Sequence, residues 1–310
     1  MNKKTVVSMI VLIIALLAGV MSASAADHKV GFLAPTLQTE FFITIDDGLK
    51  EGTAEKGWDY VSVSFDGDSA KAVTAIENMV ISGCDAILAM VSDTSCDDAL
   101  REAQAEGVKI IECGVQTEVY DACLNSDQYA IGEMISDMAG EWINAEKDGK
   151  ANIVVYTTLQ DQDMQNRGQG IQDRIVELCP EVNILEVVDI GKDIVGSGTS
   201  TTETMMQKYP DMDVIITYGD AAAVESVEAV KAGGYDPETF GIFSCDGTNA
   251  AMKYIKNGQF QRGTLMFDPI APAVIDLSQR LFDGETFTEA IPFPINPITA
   301  ANVDEYLPAE

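Results

Sequence analysis

The sequence predicts an α/β protein of two Rossmann-like, doubly wound lobes, with parallel sheets around a cleft. Three observations lead there. Short apolar runs alternate with longer amphipathic ones from Val30 onward, the rhythm breaks near 124–130, and it then restarts. Strand-helix-strand units of this length call for parallel sheets with helices on both faces, and two runs of them make two similar lobes. A chain of 310 residues is long enough for two such cores.

In the first run VGFLA (30–34), YVSVSF (60–65), DAILAMV (85–91) and VKIIEC (108–113) are expected strands. Between them, 41–56, 69–82 and 97–106 carry apolar residues at helical spacing. Gly57, Gly83 and Gly107 follow these segments, where a helix end favours a residue that tolerates positive φ. A helix over 131–146 opens the second run. Its strands are NIVVYT (152–157), NILEVVD (183–189), DVIITY (213–218) and FGIFSC (240–245), separated by helices at 164–178, 200–208, 220–232 and 248–257. The chain then changes to a strand RGTLMF (262–267), a helix 270–282, a Pro-rich strand IPFPI (291–295) and a final short helix, a tail able to cross back between lobes. No Pro/Gly/Ser-rich linker marks a boundary, so short crossing strands must join the lobes. The expected division is a signal peptide over 1–25, a first lobe of 26–126 with 267–296, and a second lobe of 127–266 with 297–310.

The start of the chain is an address. Lys3 and Lys4 form a basic n-region, Val6 to Val20 an apolar run broken by Ser8, and Ala23-Ser24-Ala25 a small-residue cleavage pattern. The run is shorter than the ~20 residues of a spanning helix. The expected product begins near Ala26 and is exported to the periplasm or the outer face of the cell envelope.

Charge and composition exclude several functions. Nineteen Lys and Arg stand against 50 Asp and Glu, a formal charge of −31 that repels phosphate backbones, so nucleic acid is not an expected partner. The single histidine, His28, is too near the start for a Ser-His-Asp site or a multi-histidine metal centre. The six cysteines include no C-x-x-C pair. Cys113 with Cys123 would close a short loop, but several cysteines end apolar runs, and mostly unpaired, structural thiols are expected. Gly196-Ser197-Gly198-Thr199-Ser200 is not a nucleophile elbow, and no P-loop or dinucleotide fingerprint opens a helix. Asp66-Gly67-Asp68 has the look of a turn, without calcium-loop spacing. No catalytic residue, metal or cofactor is expected.

Ligands of doubly wound sheets sit at the carboxyl ends of the strands, so the residues there are the candidates. Phe41 and Phe42 follow the first strand at a helix start. Consecutive helical positions face different ways, so one ring points to the crevice, where it suits the C–H face of a sugar. After NIVVYT, Asp163 and Arg167 lie four apart on one helix face. The plainer reading is a surface ion pair, yet Arg is scarce here and can fork onto two hydroxyls. Asp246 ends FGIFSC and Asp220 follows DVIITY; each could meet a ligand or cap a helix, and a ligand role is expected for Asp246, capping for Asp220.

Together TLQTEFF (36–42), AEGVKII (105–111), NSDQYAIGEMI (125–135), RGQGI (167–171), YPDMDVIITYGDAAAVESVEAV (209–230), CDGT (245–248) and IKNGQF (255–260) resemble the ribose/galactose-type periplasmic binding proteins of sugar ABC importers. The resemblance spans nearly the whole mature chain. It implies a type I binding-protein fold with three crossings between lobes that close on a monosaccharide or polyol. It implies stacking by Phe41 and Phe42, polar contacts from Thr39, Arg167 and Asp246, and a D-x-x-x-R spacing at Asp163. The chain also departs from the pattern. The ribose-type Asp-Arg pair falls on Gly114-Val115, the Asn before Asp220 is Gly219 with Tyr218 beside it, and the late Gln falls near Met266. Lost hydroxyl-gripping groups argue against ribose itself and for a less polar ligand, or a sugar held by Gln116, Gln165 or Tyr218. The expected function is ligand capture and delivery to an ABC permease by a monomer, without chemistry. Presentation of the ligand to a chemoreceptor or sensor kinase, a non-sugar ligand, and a secreted hydrolase are the alternatives.

Overall fold

The computed structural model describes residues 26–307 apart from 92–93, 115–116, 118, 160–161 and 192–195. The expected signal peptide, Gln116 and Val115 lie outside the described residues. The first half of the chain alternates β1 (Lys29–Ala34), α1 (Glu40–Lys56), β2 (Asp59–Ser64), α2 (Ser69–Ile81), β3 (Ala86–Ala89), α3 (Asp97–Ala105), β4 (Lys109–Cys113) and β5 (Ala122–Asn125). The second continues with α4 (Gln128–Glu146), β6 (Asn152–Thr157), α5 (Gln162–Leu178), β7 (Asn183–Asp189), α6 (Ser197–Lys208), β8 (Val214–Thr217), α7 (Asp220–Ala232), β9 (Gly241–Cys245), α8 (Asn249–Lys256) and β10 (Gln261–Phe267). The tail holds α9 (Ile270–Phe282), β11 (Ile291–Pro292) and β12 (Ile295–Thr299).

Two sheets result, ordered β11-β5-β4-β3-β1-β2 and β12-β10-β9-β8-β6-β7. All pairings are parallel except β10 with β12. Both sheets switch direction of winding between their first and third strands, so both place a crevice at the carboxyl ends. The chain crosses from one sheet to the other after β5, between β10 and α9, and between β11 and β12. Each sheet buries both faces: Val30, Phe32 and Ile111 pack under α1 and α9, while Leu33, Ile87 and Ile110 pack under α2 and α3. Such burial on two sides explains why these strands read as unbroken apolar runs.

Gly57, Gly83 and Gly107 close their helices at φ 72°, 80° and 93°, as the sequence predicts. Asp66 and Gly67 form the expected turn, and Asp68 caps α2 by accepting from Ala70 N at 3.0 Å and Lys71 N at 3.3 Å. Three details differ from expectation. β5 is an unexpected strand of four residues, Ala122–Asn125, at the edge of the break expected near 124–130. α4 starts three residues early, because the Asp127 carboxylate accepts from Tyr129 N and Ala130 N and caps it. The single strand expected over 291–295 is two strands in different sheets, because Pro292 and Pro294 bring no N–H to a continuous ladder.

No disulfide joins any two of the six cysteines. The β4–β5 register sets Cys113 opposite Leu124 and Cys123 opposite Glu112, so the two thiols emerge on opposite sheet faces. Burial pushes the thiols of Cys113, Cys123 and Cys245 well up, which leaves them inert hydrophobes.

Candidate functional site

The carboxyl ends of both sheets face one cavity of about 570 Å3. Its walls come from the loop after β1, from Gly114 after β4, Ser126 after β5, Tyr218 after β8, Asp246 after β9 and Phe267 at the end of β10. Thr39, Phe41, Phe42, Asp163, Arg167, Tyr218 and Asp246 all line it. Gln165 is not among the lining residues: its amide donates to the Leu159 carbonyl at 2.9 Å. His28 lies elsewhere, stacked on Phe282 at 3.9 Å.

Thr39 occupies the N-cap position of α1 but makes no capping bond with its side chain. Its Oγ1 is buried without a partner, and the residue is 8% exposed. A buried hydroxyl left unsatisfied costs about 1–3 kcal/mol, so its position in the cavity wall suits a ligand that supplies the missing bond. Phe41 and Phe42 meet edge to face at 5.1 Å, and both rings reach the cavity. The aromatic wall is longer than the sequence suggested. Phe41 approaches Phe267 at 6.1 Å, and Phe267 stacks with Phe293 at 6.2 Å. An aromatic as the last residue of a strand is the sequence signal that locates Phe267.

Arg167 is 5% exposed. Its Nε and Nη2 donate to Gln128 Oε1 at 3.0 and 2.5 Å, and its Nη1 donates to the Tyr218 carbonyl at 2.5 Å. A buried guanidinium must be satisfied on this scale to offset its desolvation. Gln128, the first residue of α4, has no role in the sequence reading. What brings it to Arg167 is the contact of α4 with α5. A Cβ on Gly132 would stand 2.1 Å from the Arg167 carbonyl oxygen, and one on Gly170 would stand 2.1 Å from that of Tyr129. The two helices therefore touch backbone to backbone, and the glycines of RGQGI and AIGEM are there for that approach. A Cβ on Gly168 would likewise stand 2.5 Å from Thr157 Oγ1, which ties α5 to the end of β6.

Asp163 lies in the first turn of α5. Its Oδ2 lies 3.8 Å from the place a Cβ on Gly114 would take, so it reaches across to the other lobe. Gly114 has φ 90°, a backbone conformation that favours glycine. Behind it Glu112 is fully buried on β4, with one oxygen accepting from Cys113 N at 3.1 Å and the other unpartnered. Burial, with help from the charges of Asp163 and Asp97, pushes its carboxyl well above the usual range.

The two late aspartates share capping differently from the expectation. Asp220 is wholly buried and accepts from Thr264 Oγ1 at 2.7 Å, Thr248 N at 2.7 Å, Thr248 Oγ1 at 3.0 Å and the Ser244 hydroxyl. It thus orients Thr248, which caps α8. Burial raises the Asp220 carboxyl to about 6, against the pull of those hydrogen bonds. Asp246 also caps: its Oδ2 accepts from Asp220 N at 3.1 Å at the start of α7, while the residue lines the cavity. Its φ of 121° is strained for a residue with a side chain, and holds the carboxylate at the crevice. Gly219 lies close beside it: a Cβ there would stand 3.1 Å from Asp246 Oδ2, a tight contact.

A cavity walled by the strand ends of two such lobes defines a protein that encloses a small molecule between hinged halves. The chain belongs to the periplasmic binding protein domain family, whose model matches residues 30–286. The ribose import binding protein of Bacillus subtilis is 24% identical over 244 residues, covering 76% of this chain and 75% of that one. The ribose import binding protein of Haemophilus influenzae is 23% identical over 288 residues, covering 90% and 94%. Among solved structures, an ABC transporter periplasmic solute binding protein from Actinobacillus succinogenes, with bound D-allose, superposes with a TM-score of 0.81 at 19% identity, covering 90% and 100%.

Proposed function

We propose that this chain is an exported, monomeric solute-binding protein that captures a small sugar-like molecule between its lobes, leaves it chemically unchanged, and delivers it to the permease of an ABC importer. The observation that carries this reading is the pairing within one cavity of an aromatic wall, Phe41, Phe42, Phe267 and Phe293, with the buried, unpartnered hydroxyl of Thr39. A pyranose or cyclitol has that duality, with apolar C–H faces and a rim of hydroxyls. Phe41 and Phe42 stack on the ring, and Thr39 meets a hydroxyl. Arg167, Asp163 and Asp246 take others, and Tyr218 closes the floor. Gln165 has no part. The cavity volume falls within the range of small-molecule sites. The relatives named for ribose import, and the neighbour holding D-allose, favour a monosaccharide. Gly114 and Gly219 stand where ribose-type members carry polar side chains, which favours a ligand other than ribose.

Equilibrium dialysis tests this reading. The mature chain, from Ala26, is dialysed against a mixture of pentoses, hexoses and polyols, then denatured, and the retained compound is weighed by mass spectrometry. The expected result is one retained compound of unaltered mass. Retention of none, or release of a compound of changed mass, contradicts the proposal.

A further inference from the structure

We infer that Glu40 is a latch between the lobes, a positioning residue that touches the facing helix and sets how long a captured molecule stays enclosed. The inference rests on the binding role proposed above. It starts from the amide hydrogens of α8, a helix of the second lobe. The first four N–H groups of any helix lack partners within it. In α8 two of these are met within the second lobe: Thr248 N donates to Asp220 Oδ2 at 2.7 Å, and Ala251 N donates to the Thr248 hydroxyl at 3.3 Å. The other two turn to the opposite lobe. Asn249 N donates to Glu40 Oε1 at 2.8 Å, and Ala250 N donates to Glu40 Oε2 at 3.3 Å.

Glu40 is the first residue of α1, so its carboxylate lies between the positive ends of two helix dipoles, one from each lobe. The first turn of α8 has no acidic residue of its own. Glu40 also borders the ligand cavity one residue after Thr39 and one before Phe41, so a ligand that orders this turn also places the latch. Opening the lobes moves Glu40 away from α8 and returns both amides to water. The closed state thus gains two charge-assisted hydrogen bonds that the open state lacks, and this difference biases the equilibrium.

The test pairs two substitutions on opposite sides of the cleft. Glu40→Ala removes the acceptor, and Glu40→Gln keeps one oxygen but no charge. Asn249→Pro removes one donor where proline suits a helix, at its first position. Thr248 before it is already extended, at φ −67° and ψ 151°, as a residue preceding proline must be. Small-angle scattering of the mature chain alone, with melting temperature as a control for folding, is the first readout. Dissociation of D-ribose and of D-allose by stopped flow is the second.

The expected result is a larger radius of gyration in Glu40→Ala and Asn249→Pro, smaller changes in Glu40→Gln, and a double variant no more open than Glu40→Ala. Dissociation of whichever sugar binds should quicken by roughly two- to thirtyfold, the range for a charge at a helix N-terminus. Scattering curves that do not change in folded Glu40→Ala overturn the latch, as does strict additivity in the double variant. If neither sugar binds, scattering still decides the latch, and the sugar result bears on the proposed ligand alone.

Discussion

Thr39 and Gln128 sit on the same cavity and predict opposite experimental signatures. The Thr39 hydroxyl makes no bond among the described residues. Thr39→Val should therefore leave the melting temperature unchanged or slightly higher, and weaken ligand binding about three- to tenfold, the worth of one neutral hydrogen bond. Gln128 is the acceptor for two nitrogens of buried Arg167. Gln128→Ala should cost about 1–3 kcal/mol of stability and weaken binding as well, because a guanidinium without its acceptor shifts or draws in water. Thermal denaturation with calorimetry on both variants separates the roles. The residues that touch the cavity were legible wherever a side chain of evident chemistry followed a strand: Phe41, Phe42, Arg167 and Asp246. Those that hold them were not. Gln128 and Glu40 act through partners 39 and 209 positions away, and sequence spacing has no access to such distances. Gln165 failed for the opposite reason: on a helix face, the neighbouring Leu159 carbonyl claimed its amide.

Among the elements, the α4–α5 pair constrains the site most tightly. Gly132 and Gly170 let the two backbones meet, and the meeting point is Arg167. Gly132→Ala should force the helices apart, cost about 1–3 kcal/mol as overpacking does, and lower affinity by displacing the guanidinium. Ser136→Ala on the same helix is the control. Its hydroxyl bonds the Ile171 carbonyl at 2.8 Å farther from the cavity, so its loss should lower stability with little effect on affinity. The helices and strands of both lobes were legible because apolar runs and glycine stops repeat with the period of the fold. β5 was not, because its apolar run is only Ala122-Cys123-Leu124, between Asp121 and Asn125. The split of 291–295 into β11 and β12 was not, because neighbours in sequence there belong to different sheets.

At the scale of the whole molecule, acid should stabilise. Asp220 has its carboxyl raised from 3.8 to about 6 by burial, and Glu112 is raised above 4.5 in the same way. Between the ordinary and the raised values the folded chain keeps protons that the unfolded chain has released. Stability therefore falls as pH rises through that window, the reverse of a salt-bridged carboxylate. Easing of self-repulsion at a formal charge of −31 adds in the same direction. The melting temperature is expected to rise from pH 7.5 to about pH 5.5, and Glu112→Gln should flatten the dependence. A melting temperature that falls over that range would contradict the burial assigned to both carboxylates. The acid excess was plain in the sequence. Which two acids are buried was not, since both lie in short segments that read as apolar strand or helix start.

The central claim is that the cavity between the lobes binds a small polyhydroxylated molecule through the residues that line it. Thermal shift of the mature chain beside Arg167→Ala and Phe42→Ala, against pentoses, hexoses, cyclitols, nucleosides and amino acids, tests this most directly. A ligand at a hundred times its Kd adds about 2.7 kcal/mol to native stability, enough to move Tm by several degrees. The account predicts a shift with one class of sugar or polyol that is lost in both variants. A shift that persists in both variants, or one that only amino acids or nucleosides produce, would contradict it.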